Sequence, residues 1–430
     1  MKQPSPFLSF TAWKQRLVFW LGAIIVGLVI VMMTWLSEWA AQTYRILALQ
    51  FPWFHFVIPP VGLGFTAWLT FRFFPGSERS GIPQVKTALD ITGNLKETSK
   101  LISLRIAFGK MFLPIMGLLS GASVGFGGPA VHVGASIMLS LGKVIKFPPH
   151  YLERGLILAG SAAGFAAMFS TPLAGIMFAV EEMGRTLEER ISSLVLTAII
   201  FSGITAYALL NSYIYFEDES LIMPMGQSWF AVPLCGIAGG FMGGLFSKTT
   251  ILGSRFLKRT GISIVVIAIV CGGIIATVNY FSDGATVGTG YQQTKAILHG
   301  LAPMEPSYPF LKMLATCATF FSGIPSGIFV PSLATGAGFG VNLASWFPIA
   351  PASAMILLTM TAYFSGMLQS PLTSFVIVME MTSSHEIMIP LMATAFLASG
   401  TSKLIHPMSL YLALCSAYTP HLDEQNKTKS

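Results

Sequence analysis

Charge is what this sequence has least of. Its 25 basic and 18 acidic residues amount to 10% of 430 positions, where a soluble domain carries about 25%. That deficit excludes an ordinary soluble domain. Cysteine is also scarce: Cys235, Cys271, Cys317 and Cys415 stand far apart in apolar stretches. The spacing encodes no disulfide framework and no metal site, so they read as small core residues. No Walker motif is present, which excludes ATP as the driving force. Gly121-Ala-Ser123-Val-Gly125 matches G-x-S-x-G, but it lacks the strand–turn–helix setting and partners of a hydrolase nucleophile. His385-Glu386 has no second histidine at the fourth position for zinc, and Gly336-Ala-Gly338-Phe-Gly340 is not a nucleotide fingerprint. No catalytic residues, metal or cofactor are expected.

What is abundant is apolar sequence. Hydrophobic residues make up 53% and the mean hydropathy is +0.69. Leu17 to Leu36 is free of charge and matches the roughly 20 residues that cross a bilayer core. It lacks the small-residue cleavage site of a signal peptide. Further runs lie near 52–72, 101–120, 155–180, 192–211, 229–246, 262–280, 310–322, 353–379 and 388–405. Backbone groups in lipid must pair internally, so these predict helices. The net charge of +7 is not a nucleic-acid signal. Lys14 with Arg16, and Lys248, Arg255, Lys258 and Arg259, read as short loops that belong on the cytoplasmic side. The acidic segment Phe216–Ser220 belongs on the other.

The chain echoes itself. Phe165–Glu181, FAAMFSTPLAGIMFAVE, aligns with Phe364–Glu380, FSGMLQSPLTSFVIVME, and Pro129–Ala135 aligns with Pro331–Ala337. Two echoes at nearly one spacing predict two homologous halves, the arrangement in which transporters bind substrate at the repeat interface. With 42 Gly and 25 Pro, broken helices are expected, tolerated at membrane depth only where they line a cavity or are buried in protein.

Three Gly/Pro/Ser segments interrupt the apolar runs: Arg79-Ser80-Gly81-Ile82-Pro83, Gly125-Phe126-Gly127-Gly128-Pro129, and Gly323-Ile324-Pro325-Ser326-Gly327-Ile328-Phe329-Val330-Pro331. Each can start a helix. Helix N-termini offer unpaired N–H groups and partial positive charge. Several aimed at one point would bind an anion without a full cation, and conduction needs such exchangeable binding.

In order and spacing these segments resemble the GSGIP, GREGP and GxFxP signatures of the CLC family of chloride channels and chloride/proton antiporters. Glu181-Glu182-Met183, after Thr171-Pro172-Leu173, and Ser409-Leu410-Tyr411 resemble two more. The resemblance spans roughly residues 15 to 418. It implies an all-α polytopic fold of two inverted repeats with broken, tilted helices. It implies a chloride site from the Ser80 hydroxyl with Gly81 and Ile82, the Phe126–Gly128 segment, the N–H groups of Ile328 and Phe329, and the Tyr411 phenol. Ser409 competes with Tyr411 for that role by its distance from the preceding proline. A serine at position 80 goes with chloride, a proline with nitrate. Glu182 aligns with the family's internal proton-transfer glutamate, the reading favoured over a helix end at the water interface; Glu181 and Glu380, being repeat-related, read as structural. A homodimer with one pore per subunit is implied too.

One position departs. Gly127 stands where the family has its gating glutamate, and Phe126 where it has a basic residue. Glycine cannot titrate or plug a pore. The expectation is passive, channel-like chloride flux, with a chloride/proton antiporter using a substitute proton path as the rival. His132 is the nearest substitute, but it sits about one and a half turns on, off the Gly127 face. Arg79 replaces the first signature glycine and could concentrate anions or snorkel. The expected layout is a cytoplasmic tail (1–13), a membrane domain (14–418, with halves near 14–212 and 228–418) and a second tail (419–430). The tails leave no room for a soluble regulatory domain. With no organelle signal either, the expected location is a bacterial inner membrane, surrounded by lipid.

Overall fold

The computed structural model describes residues 10–91, 95–144, 149–184, 193–210, 223, 226–300, 305–416 and 418. The acidic segment 216–220, the charged stretch 188–190 and the tail 419–430 lie outside the described residues, as do residues 1–9 of the other tail. The first half contains α1 (Phe10–Gln50), α2 (Phe54–Phe73), α3 (Ile82–Asp90), α4 (Leu95–Leu101), α5 (Leu104–Leu119), α6 (Gly127–Val144), α7 (Pro149–Phe169), α8 (Pro172–Phe178) and α9 (Ser193–Leu210). The second contains α10 (Ala231–Thr260), α11 (Ile264–Phe281), α12 (Tyr291–Leu298), α13 (Tyr308–Phe321), α14 (Phe329–Trp346), α15 (Ala352–Leu368), α16 (Pro371–Thr382) and α17 (Met388–Ile405), followed by α18 (Leu410–Cys415).

Among the described residues, seven helices are long and apolar enough to cross a membrane. Their outer faces carry exposed Leu21, Ile25, Leu28, Phe65, Phe241 and Ile269, as lipid contact requires. The protein is thus a multi-pass membrane protein. Three sequence-predicted spans are not continuous crossings. The run 155–180 breaks after α7 at Ser170 (φ 54), and the run 353–379 breaks after α15 at Gln369 (φ 58). The run 310–322 is the short α13 of 14 residues. A residue with left-handed backbone ends a helix, and the following Pro172 or Pro371 starts another. The basic residues read as loops are also placed differently. Lys248 to Arg259 ride the last turns of the 30-residue α10, and Lys14 and Arg16 the first turns of the 41-residue α1. Helices of about 45 and 60 Å outrun a hydrocarbon core of about 30 Å, so the charges sit on helix ends rather than beyond them.

The two halves share equivalent positions. One offset of 202 positions relates Lys110 to Lys312, Gly125 to Gly327, Gly127 to Phe329 and Gly134 to Gly336. Gly134 packs on the Gly160 carbonyl of α7, and Gly336 on Met360 of α15, so close that a Cβ would collide in either place. Small residues at equivalent points let these helices meet backbone to backbone. The core crosses both halves without a seam, through Val124, Phe126, Phe165, Ile328, Phe329 and Phe364.

Candidate functional site: a meeting of three helix N-termini

The three segments singled out by composition start α3, α6 and α14, and the chain stitches them together. Gly125 and Gly327 form an antiparallel bridge, with N–H donations of 2.9 Å from Gly125 to the Gly327 carbonyl and 2.7 Å in return. Equivalent residues paired antiparallel mark a pseudo-twofold between the halves. The α3 segment joins the other side: Arg79 N–H donates to the Ile324 carbonyl (3.2 Å), and Ser326 N–H to the Arg79 carbonyl (3.3 Å). The first-turn N–H groups of all three helices have no intrahelical acceptor, and the stitching aims them at one region.

Gly81 caps α3 with φ 93, a conformation that disfavours any Cβ. Space forbids one as well: it would lie 2.9 Å from His132 Cβ and 3.0 Å from Lys110 Cε. Lys110 is fully buried, and its amino group donates to three consecutive carbonyls, Ser77 (2.8 Å), Glu78 (3.2 Å) and Arg79 (3.1 Å). Those carbonyls are thereby turned away from the helix start, where a negative dipole would oppose an anion. The Arg79 guanidinium lies 5.5 Å from the Phe320 ring centroid. It borders a cavity of about 10 Å³ that Ser80, Pro83, Leu414 and Tyr418 also line.

Ser80 is buried against Gly128, whose missing Cβ is what leaves room for the serine hydroxyl. Tyr411, on α18, is buried too, turns its phenol toward Ser80 and packs its ring 5.8 Å from Phe329. Apart from each other, neither hydroxyl has a hydrogen-bond partner within the protein. Two buried hydroxyls that face each other and have no further partner can accept a ligand or water. Ser409, by contrast, is only the half-buried residue before α18. Ile82, Phe126, Ile328 and Phe329 are all buried.

Gly127 is the first residue of α6. A Cβ on it would meet Phe329 at 2.8 Å and Phe169 at 3.2 Å, so two buried aromatic rings occupy the direction a side chain would take. His132 does not face that point. Its Nε2 donates to the Leu101 carbonyl at 2.9 Å, and Nδ1 lies 3.4 Å from Ser136 Oγ, whose proton goes to the His132 carbonyl at 2.8 Å. Ser123 of the G-x-S-x-G match is buried and bonded to Thr316 at 2.9 Å.

With this geometry in place, resemblance to known proteins becomes specific. The sequence model described as Voltage gated chloride channel matches residues 61–403. The chain belongs to that family, the CLC family. It is 28% identical over 371 residues to the H(+)/Cl(-) exchange transporter ClcA of Yersinia pestis, covering 81% of this chain and 74% of the relative. It is 29% identical over 363 residues to the ClcA of Vibrio vulnificus, covering 80% and 75%. A solved slow cyanobacterial Cl-/H+ antiporter superposes with a TM-score of 0.78 at 24% identity, over 94% of this chain and 99% of that one. A CLC-type fluoride/proton antiporter superposes equally well at 22% identity, over 94% and 98%. The fold is therefore the all-α CLC fold of two inverted repeats. These relatives are transporters, and the chain is not an enzyme.

Two glutamates act across the halves. Glu181 accepts from Leu372 N–H (3.0 Å) and Thr373 N–H (2.6 Å) at the start of α16, and Glu380 accepts from Leu173 N–H (3.1 Å) and Ala174 N–H (2.8 Å) at the start of α8. Each carboxylate caps the helix start of the other half, a charge-assisted contact favoured by the helix dipole. Sequence reasoning missed Lys86, Lys110, Lys312 and Phe169. Lysines inside apolar helices were a usable signal, and the shared offset of Lys110 and Lys312 a stronger one. Nothing local marked Phe169.

Proposed function

We propose that this protein conducts chloride passively, without a coupled proton. The observation that carries the reading is Gly127, a residue with no titratable group, flanked by the Phe329 and Phe169 rings. A proton-coupled gate needs an acid that alternately neutralises and competes with the anion. Glycine can do neither, and His132, whose Nε2 is tied to the Leu101 carbonyl, is a poor replacement. The chloride ligands in this reading are the hydroxyls of Ser80 and Tyr411 and the helix-start N–H groups around Gly81, Ile82, Phe126, Gly127, Gly128, Ile328 and Phe329. Converging N–H dipoles and hydroxyls stabilise an anion while holding it weakly enough to leave. The working unit is a homodimer with one pathway per subunit, in a bacterial inner membrane. The membrane domain comprises residues 14–418, with halves near 14–212 and 228–418.

The second reading, chloride/proton exchange, is favoured by the exchange activity for which the ClcA relatives are named. One experiment separates the two. Purified protein is reconstituted into chloride-loaded liposomes, voltage is clamped with valinomycin, and chloride efflux and external pH are recorded together. Chloride release without proton movement is expected. A fixed ratio of protons to chloride would overturn the uncoupled reading.

A further inference from the structure

The first turns of α1 carry an apolar stripe that no described residue covers. Leu17, Leu21 and Ile25 recur every fourth residue, so they share one helix face, and all three are exposed. Together with Leu141 of α6 they line a groove of about 360 Å³. Gly22 sets its shape. There α1 presses on α6 so closely that a Cβ would lie 3.1 Å from Leu141 Cδ1. One end of the groove carries Trp13 and Lys14. Arg16 stands beside that end, its guanidinium 5.4 Å from the Trp13 ring centroid. Tryptophan favours the level of lipid headgroups. Lys14 to Ile25 spans 11 positions, about 17 Å of helix, which is about half of a hydrocarbon core of about 30 Å. The groove therefore has the depth of one leaflet.

We propose that this groove seats an acyl chain of one anionic phospholipid, with the headgroup phosphate on Lys14. Every outward apolar face meets lipid in a bilayer, so apolarity alone selects nothing. Two features do select. The walls supplied by α1 and α6 give the chain van der Waals contact on two sides, where a flat helix face gives it on one. The headgroup end is cationic, and among the described residues no carboxylate pairs with Lys14. Basic residues at the membrane surface attract anionic headgroups, and a phosphate oxygen accepts a charge-assisted hydrogen bond from an ammonium. The lipid so held bridges α1 to α6, the helix that Gly127 begins. It is a structural ligand and takes no part in the passage of chloride, so the proposal stands whether or not flux is coupled to protons.

The full-length protein, delipidated in mild detergent, is titrated with dioleoylphosphatidylglycerol or dioleoylphosphatidylcholine, and bound lipid is counted by native mass spectrometry. The expected result is one tightly held phosphatidylglycerol per subunit, bound about fivefold better than phosphatidylcholine. Lys14→Gln should bring the two lipids within about twofold of each other. Lys258→Gln, on the exposed end of α10 and away from the groove, should keep the preference. Leu141→Trp fills the groove and should weaken the tight lipid about fivefold or more. Equal binding of the two lipids by the wild type overturns the proposal, as does a Lys14→Gln protein that elutes as a single species and keeps the preference. Unchanged binding in Leu141→Trp would place the lipid elsewhere. Loss of the preference in Lys258→Gln would assign it to surface charge in general. Oleate displacing phosphatidylglycerol at equal concentration would put a free fatty acid in the groove. Each of these three results also refutes it.

Discussion

The turn before α3 and the turn before α12 are the same device used twice. Gly81 and Gly290 both cap their helices with left-handed backbone, φ 93 and φ 88. A Cβ on either would press on a buried lysine side chain, 3.0 Å from Lys110 Cε and 3.1 Å from Lys312 Cε. Each lysine gathers the carbonyls of its turn: three for Lys110, and those of Thr286 and Gly288, both at 2.8 Å, for Lys312. What differs is the hydroxyl. Thr289 accepts from Tyr291 N–H at 3.2 Å, closing its own turn, while Ser80 Oγ faces only the Tyr411 phenol. Tyr411, from the unrepeated α18, joins Ser80 alone. The α12 turn instead borders a cavity of about 400 Å³ together with Glu38, Arg45 and Lys295. Duplication thus supplied the frame twice, and a single hydroxyl left unspent in one copy makes that copy the candidate site.

The harshest way to break this comparison is to remove the lysines. Lys110→Met strands three buried carbonyls and should cost about 3 kcal/mol or more of stability, with Lys312→Met costing about 2. Thermal unfolding in detergent measures both. An inert Lys110→Met would show that the carbonyls do not depend on that amino group. The reciprocal caps come next. Glu181→Gln and Glu380→Gln should each cost about 1–2 kcal/mol and by similar amounts, because each removes one carboxylate from the other half's helix start. Unequal losses in the same melting assay would mean that the halves are mechanically different.

Gly127 and Phe329 sharpen the comparison further, since they hold the same place in the two halves and one ring covers the other's vacant direction. Gly127→Glu alone should leave chloride flux insensitive to pH, because the aromatic rings leave its carboxylate no room. Gly127→Glu/Phe329→Ala should bring in a dependence of about threefold or more between about pH 4 and pH 7, measured as liposome efflux. A pH-dependent single variant would mean that the rings yield easily. The mildest test compares the two hydroxyls. Thr289→Ala should lower stability by about 0.5 kcal/mol and leave flux unchanged, whereas Ser80→Ala should leave stability nearly unchanged and reduce chloride flux. Equal behaviour would erase the distinction drawn here.

The sequence alone determined the class of molecule. Scarce charge and long apolar runs leave a chain no stable home but a bilayer, where backbone pairing demands helices. The two echoes disclosed a duplicated chain, and the Gly/Pro/Ser segments disclosed where helices start, because those residues act through local backbone geometry. Gly127 could be singled out for the same reason: it stands inside one of those helix-start segments. Tertiary structure alone decided which groups meet. It chose Tyr411 over Ser409 as the neighbour of Ser80, turned His132 toward Leu101, ended the 155–180 and 353–379 runs at left-handed residues, and paired Lys86 with Glu182 across 96 positions. Such contacts depend on how helices distant in sequence are packed, and no local pattern of residue types carries that information.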